Sequence, residues 1–187
     1  MPPRPPPQPH SPRIEGFPPI AGRGARVLVL GSMPGEASLR AGQYYAHPHN
    51  AFWKLMGALF GAGPELPYAD RVGLLKRHGV AVWDVLASCV RPGSLDSAID
   101  DASAQANDFA SFFAARRGIG EVFFNGAKAE SAFRRHVLAG PQGVRLPPLK
   151  LLRLPSTSPA HAALGFEAKL RAWRALADAV GERRSDR

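Results

Sequence analysis

Arg26-Val27-Leu28-Val29-Leu30 runs directly into Gly31-Ser32-Met33-Pro34-Gly35, and that junction decides the fold. An unbroken aliphatic and β-branched run has no polar face, so the strand it forms is buried on both sides, as strands of parallel sheets are. Glycines bracketing a proline then make a rigid turn that exposes backbone amides and lets another molecule approach closely. Three more runs read as buried strands: Val80-Ala81-Val82-Trp83, Glu121-Val122-Phe123-Phe124 and Leu149-Lys150-Leu151-Leu152-Arg153-Leu154. Helical stripes lie between and after them. Phe52, Leu55, Met56, Leu59 and Phe60 recur at helical spacing, as do Phe166, Leu170, Trp173, Ala177 and Val180. Ala-rich, Phe-punctuated stretches predict further helices at 103–116 and 127–138. Strands alternating with helices give an α/β fold, a three-layer α/β/α sandwich around a mostly parallel four-stranded sheet.

The 187 residues suffice for one domain with one sizeable core. Residues 1–23 hold nine of the nineteen prolines and little apolar periodicity, so they read as a disordered Pro/Arg-rich tail. The folded domain is expected at 24–180, with a second, basic tail at 181–187. Cys89 is the only cysteine, which leaves no intramolecular disulfide, zinc ribbon or Cys-ligated iron–sulfur cluster. No stretch has the length and apolarity of a membrane span, and the N-terminus lacks a signal-peptide core. A cytoplasmic monomer is the expectation. Lys plus Arg exceed Asp plus Glu by 24 to 15, a net charge of +9 that permits a polyanionic partner without naming one.

In open α/β sheets, ligands bind beyond the carboxyl ends of the strands. Four segments should therefore face one crevice: Gly31 to Ser38, Asp84 to Gly93, Asn125 to Lys128 and Pro155 to His161. All are polar and rich in small residues. The first lacks GxGxxG and the Lys-Ser/Thr ending of a P-loop, so it does not signal a nucleotide triphosphate site.

The segment Gly42-Gln43-Tyr44-Tyr45-Ala46-His47-Pro48-His49-Asn50-Ala51-Phe52-Trp53-Lys54 crowds aromatic and amide side chains before a helix. Asn50 stands where an N-cap would be; its side-chain carbonyl is equally suited to hold a water. Tyr45 is either a stacking platform for a planar ligand or a half-buried loop aromatic. His47 and His49 lack a third ligand nearby for a metal.

Val-Leu-Val-Leu-Gly-Ser-Met-Pro-Gly at 27–35, Tyr-Ala-His-Pro-His-Asn-Ala-Phe-Trp-Lys at 45–54, Val-Trp-Asp-Val-Leu-Ala-Ser-Cys-Val-Arg-Pro-Gly-Ser-Leu-Asp-Ser at 82–97 and Leu-Pro-Ser-Thr-Ser-Pro-Ala-His-Ala at 154–162 together resemble the uracil-DNA glycosylase superfamily. The resemblance covers about 25–180. It is greatest to the hypoxanthine-DNA glycosylase branch, related to the mismatch-specific uracil/thymine glycosylases.

The resemblance implies a catalytic Asn at Asn50. It implies base contacts from Tyr45, Asp84, Ser32, Met33 and Ser88, with Pro34 and Gly35 in the accompanying loop. Ser156, Thr157, Ser158, Pro159 and His161 take the place of the loop that enters the minor groove and fills the hole left by a flipped base. Met33 stands where relatives carry an Asn or Asp that positions water, and a thioether can only pack. Leu154 stands where uracil-specific enzymes carry a His. Asp84 replaces an Asn that reads the base edge, and an ionised Asp only accepts hydrogen bonds. Ser158 and Pro159 also suit a helix start.

The implied activity is hydrolysis of the N-glycosidic bond of a deaminated base, hypoxanthine first and uracil second, flipped out of single- or double-stranded DNA. No metal or organic cofactor is expected. The competing readings are a uracil-preferring or mismatch-specific glycosylase, a catalytically silent DNA-binding module, and a hydrolase of nucleotides or other small phosphorylated molecules.

Overall fold

The structure, a computed structural model, describes residues 13–182. In chain order its strands are β1 (Arg13–Glu15), β2 (Val27–Gly31), β3 (Val80–Asp84), β4 (Leu86–Val90), β5 (Asp100–Ala106), β6 (Glu121–Asn125) and β7 (Lys150–Leu154). Its α-helices are α1 (Glu36–Ala41), α2 (Phe52–Phe60), α3 (Tyr68–His78), α4 (Phe109–Ala115), α5 (Ala127–Phe133) and α6 (Phe166–Glu182).

Strands β3-β2-β6-β7 form a parallel sheet flanked by helices, as the four runs predict, but β7 is an edge strand rather than a buried one: Lys150, Leu152 and Arg153 are exposed and only Leu154 is buried. Leu30 pairs with Trp83 on one side and Phe124 on the other, so these three side chains share a face. Helices α4 and α5 cover that face. Trp83 meets Phe109 and Phe112 at 5.1 and 4.9 Å between ring centroids, and Phe124 meets Phe133 at 5.3 Å. Elsewhere α2 and α6 pack on each other, Phe52 edge-on to Trp173 at 6.0 Å, and α6 lies against β2. Phe52, Trp173, Phe109, Phe124 and Phe133 are fully buried, and each contributes about 1.5–3 kcal/mol of burial free energy. Phe166, the first member of the expected α6 stripe, is instead 38% exposed.

Four further expectations need correction. The stretch 103–116 is not one helix: 103–106 belong to β5, which pairs antiparallel with β4, and the helix starts at Phe109. Cross-strand partners override the Ala-rich propensity, with the Ser103 hydroxyl accepting from the Val90 amide. The helix expected over 127–138 ends at Phe133 and continues as a π-helical turn over Arg134–Leu138.

The tail expected over 1–23 is ordered from residue 13. Strand β1 pairs antiparallel with β4 and completes a second sheet, β1-β4-β5. Beyond it Ile20 bridges to Val82 and is buried, while the Phe17 carbonyl accepts from Trp83 Nε1 at 3.0 Å and from the Tyr44 hydroxyl at 3.3 Å. Backbone pairing holds this proline-rich strap together with the packing of Ile14, Phe17 and Ile20 on the core. At the other end α6 runs through Glu182, into the second expected tail. Residues 1–12 and 183–187 of the two tails lie outside the described residues.

Candidate active site

The strand register puts the site on one row. Asp84 pairs with Gly31 and Asn125 with Leu154, and continuing the β2–β6 register sets Gly31 beside Asn125. The carboxyl edge of the sheet thus reads Asp84, Gly31, Asn125, Leu154. A cavity of about 560 Å³ opens above it. It is lined by Ser32, Met33, Pro34 and Gly35, by Tyr45 and Asn50, by Asp84, and by Ser156, Thr157, Ser158, Pro159 and His161. Four segments far apart in sequence therefore wall a single slot.

Gly31 is required by close approach. A Cβ there would stand 2.3 Å from Asp84 Oδ1 and 3.1 Å from the Tyr45 hydroxyl. Asp84 is buried, and its Oδ2 has no hydrogen-bond partner among the described residues. Burial, and secondarily the Asp96 carboxylate, push its pKa up to about 7, against the opposing pull of Arg91. Arg91 makes no ion pair with Asp84. It donates instead to the carbonyls of Pro34 and Gly93, tying the Gly31–Gly35 loop to the turn after β4.

Tyr45 adopts φ 55°, a left-handed conformation that strains a residue with a side chain, and such strain concentrates at functional sites. One face of its ring stacks on Phe52 at 4.0 Å and 24° between planes. Its hydroxyl, buried and without a hydrogen-bond partner within standard geometry, is pushed well above the ordinary phenol range by burial and then by Asp84, with the Asn125 side chain pulling the other way. The neighbouring Tyr44 holds the segment: its hydroxyl reaches the Phe17 and Pro18 carbonyls, and its own carbonyl accepts from Trp53 Nε1.

Asn50 is not itself the N-cap of α2, which is Ala51, but stands one residue before it, and its Oδ1 accepts from the first helical amide, that of Phe52, at 2.9 Å. It also lines the cavity, and its carbonyl oxygen has a second lone pair. Ser32 is buried and donates to Asp96 Oδ1 at 2.6 Å, which commits its hydroxyl proton. Met33 is buried at the cavity wall.

Ser88 is not brought to the site. The predicted loop around it is strand β4, where its hydroxyl accepts from Arg13 Nε and donates to Gln105. Ser88 is not among the residues that line the cavity.

Residues 155–161 are fixed by Asn125, a lining residue that the sequence reading places after a strand without giving it a role. Its Nδ2 donates to Thr157 Oγ1 and its Oδ1 accepts from the Thr157 amide, both at 2.8 Å. The Thr157 carbonyl in turn accepts from the Ala51 amide at 3.0 Å, joining this loop to Asn50. Ser158 caps the short turn Pro159–His161, its hydroxyl accepting from the Ala160 amide, as its sequence suggests. Ser94, Leu95 and Asp96 also line the cavity.

The sequence profile of the Uracil DNA glycosylase superfamily matches residues 18–177. Two curated relatives, both named hypoxanthine DNA glycosylase, are 37% identical over 116 residues (Methanosarcina barkeri) and 36% over 115 (Methanosarcina acetivorans), each match covering 72% of the relative and 62% or 61% of this chain. A solution NMR structure of a candidate uracil DNA glycosylase from Methanosarcina acetivorans superposes with a TM-score of 0.71 at 29% identity, covering 90% of this chain and 99% of that one. The profile match over most of the folded chain, together with a parallel sheet that carries the quoted motifs at one edge, shows that the protein belongs to the uracil DNA glycosylase superfamily and has the activity class of a DNA glycosylase.

Proposed function

We propose that the protein removes hypoxanthine from DNA by hydrolysing the bond between the base and C1′ of the sugar. The observation that carries this reading is the single cavity in which Tyr45, Asn50 and Asp84 meet the Ser156–His161 loop. The names of the two curated relatives support the choice of base.

A stacked base is out of reach, so the nucleotide must be everted, at a cost that is lowest for weakly paired bases such as hypoxanthine. The exposed face of Tyr45 stacks on the everted base. Asp84 reads its edge. With its pKa raised to about 7 by burial, this carboxyl group is neutral below that pH, and a neutral acid presents one O–H donor beside one acceptor oxygen. That pair matches the N–H and carbonyl of the hypoxanthine lactam, which an ionised carboxylate would match only in part. Asn50, fixed by the Phe52 amide, uses its remaining lone pair to hold the water that attacks C1′. A dissociative route asks for positioning and stabilisation of the departing base more than for a strong base, so an uncharged amide suffices. Neither Met33 nor the committed hydroxyl of Ser32 competes for that role.

Single-turnover base release from matched duplexes carrying inosine, uracil or xanthine tests the proposal, with free inosine monophosphate as control. Release should be fastest from inosine, without strand cleavage, and absent from the free nucleotide. Faster release from uracil would transfer the assignment to a uracil-preferring enzyme, and binding without release would leave a DNA-binding module.

A further inference from the structure

The buried stripe of α6 contains one residue that is chemically foreign to a core. Trp173, Leu176 and Val180 are buried at helical spacing, and the position that extends their face by one turn toward the N-terminus is Lys169. Lys169 is only 5% exposed, although residues 159–167 before it all stand in solvent. Its ammonium makes no ion pair among the described residues, and burial alone pulls its pKa below the ordinary lysine value. A buried ammonium without a counter-charge lowers stability, so an apolar side chain of the same length would serve the core better.

What the ammonium bonds is the loop beside the site. Lys169 Nζ donates to the His161 carbonyl at 3.0 Å. One turn further along the same helix face, Trp173 Nε1 donates to the Pro155 carbonyl at 3.0 Å, and between these two points Asn125 holds Thr157. The segment 155–161 is thus pinned at its start, middle and end, and only the last pin is a charge. Pro159, Ala160 and His161 line the candidate active-site cavity. His161 also lines a second cavity of about 490 Å³, together with Lys128, Ser131 and Arg153. Without Lys169, the hydrogen bonds that shape the Pro159–His161 turn are those it makes to Ser158, from the Ala160 amide to the hydroxyl and from the His161 amide to the carbonyl.

We propose that Lys169 is a positioning residue for base excision, its buried ammonium holding the Pro159–His161 turn in the shape in which it meets DNA. This rests on the glycosylase reading above. The turn engages the DNA rather than the reacting atoms, so loosening it weakens productive binding more than the chemical step. The same charge destabilises the core, so removing it moves stability and binding in opposite directions.

The test compares Lys169→Met with wild type as full chains. Single-turnover base release from an inosine duplex, over a range of enzyme concentrations, gives the half-saturating concentration and the limiting rate. Limited digestion with chymotrypsin, followed at Leu164 and Phe166, reports how firmly the exposed stretch is held without any substrate. The expected result for Lys169→Met is a melting temperature equal to or above that of wild type and faster cleavage. The half-saturating concentration should rise about tenfold or more while the limiting rate stays within a few-fold. An unchanged half-saturating concentration, or a fall in melting temperature alongside the loss of binding, would overturn the positioning role while leaving the enzyme assignment in place. Unchanged digestion in an active enzyme would overturn it as well. Absence of base release by the wild type would overturn the assignment, and the role of Lys169 in excision with it.

Discussion

Asn125 and Thr157 form a reciprocal pair: the Asn125 amide nitrogen donates to the Thr157 hydroxyl, and its oxygen accepts from the Thr157 backbone amide, each at 2.8 Å. Two adjacent strands thereby hold the end of β6 and the loop after β7 as one unit. The Thr157 carbonyl extends the unit to Ala51, next to Asn50.

Replacing Asn125 with Ala leaves the buried Thr157 amide unpaired. The expected loss is about 1–3 kcal/mol of stability, read by denaturant unfolding. Base release should fall as well, because the Ala51 contact that sets Asn50 is loosened. Lower stability with full activity would show that the pair supports the fold alone.

The proposed reading of the base edge by Asp84 predicts a pH-dependent reaction. Its folded pKa of about 7 is above the ordinary carboxylate value, so the neutral acid persists up to about pH 7 and is lost as pH rises through it. Base release from inosine should therefore decline above about pH 7. Asp84→Asn presents a donor and an acceptor at every pH, so its rate should stay flat over the same range. The sign for stability is set by proton binding: between about pH 4 and 7 the folded state holds a proton that the unfolded state has released, so this group makes stability fall as pH rises there. The stability advantage of Asp84→Asn over wild type should grow across that window and level off above it. An advantage that shrinks with rising pH would mean that Asp84 is ionised in the folded protein.

Residues 13–20 act as part of the fold. A chain starting at residue 13 should unfold as the full chain does. One starting at residue 21 loses the acceptor for Trp83 Nε1 and both acceptors for the Tyr44 hydroxyl, at about 1–3 kcal/mol for each buried donor left unpaired. Equal melting temperatures for the two truncated chains would return this segment to the status of a tail.

The central sheet was legible because Val27 to Leu30, Val80 to Trp83 and Val122 to Phe124 are buried on both faces, and such runs have few alternatives. The small sheet was not. Strand β4 reads Leu-Ala-Ser-Cys-Val and begins two residues after β3 ends, and β5 reads Asp-Asp-Ala-Ser-Ala-Gln-Ala with no β-branched residue. Both owe their form to pairing with distant partners, Arg13 with Val90 among them. The same distinction divides the site. Asp84 and Gly31 were found because they follow recognisable strands, and Tyr45 and Asn50 because their segment is chemically unusual. Asn125 owes its role to a partner 32 residues away. Ser88 was misplaced because a strand was taken for a loop.

The proposed role of Asn50 is to hold the attacking water while also accepting from the Phe52 amide at the start of α2, and Asn50→Ser separates the two. A serine hydroxyl can accept from a helix-start amide but is too short to reach the water. In single-turnover release of hypoxanthine from an inosine duplex, the account predicts a rate at least about 100-fold below wild type, in keeping with loss of a positioned polar group, at an unchanged melting temperature. A rate within a few-fold of wild type would contradict it and leave Asn50 as an acceptor for the Phe52 amide alone.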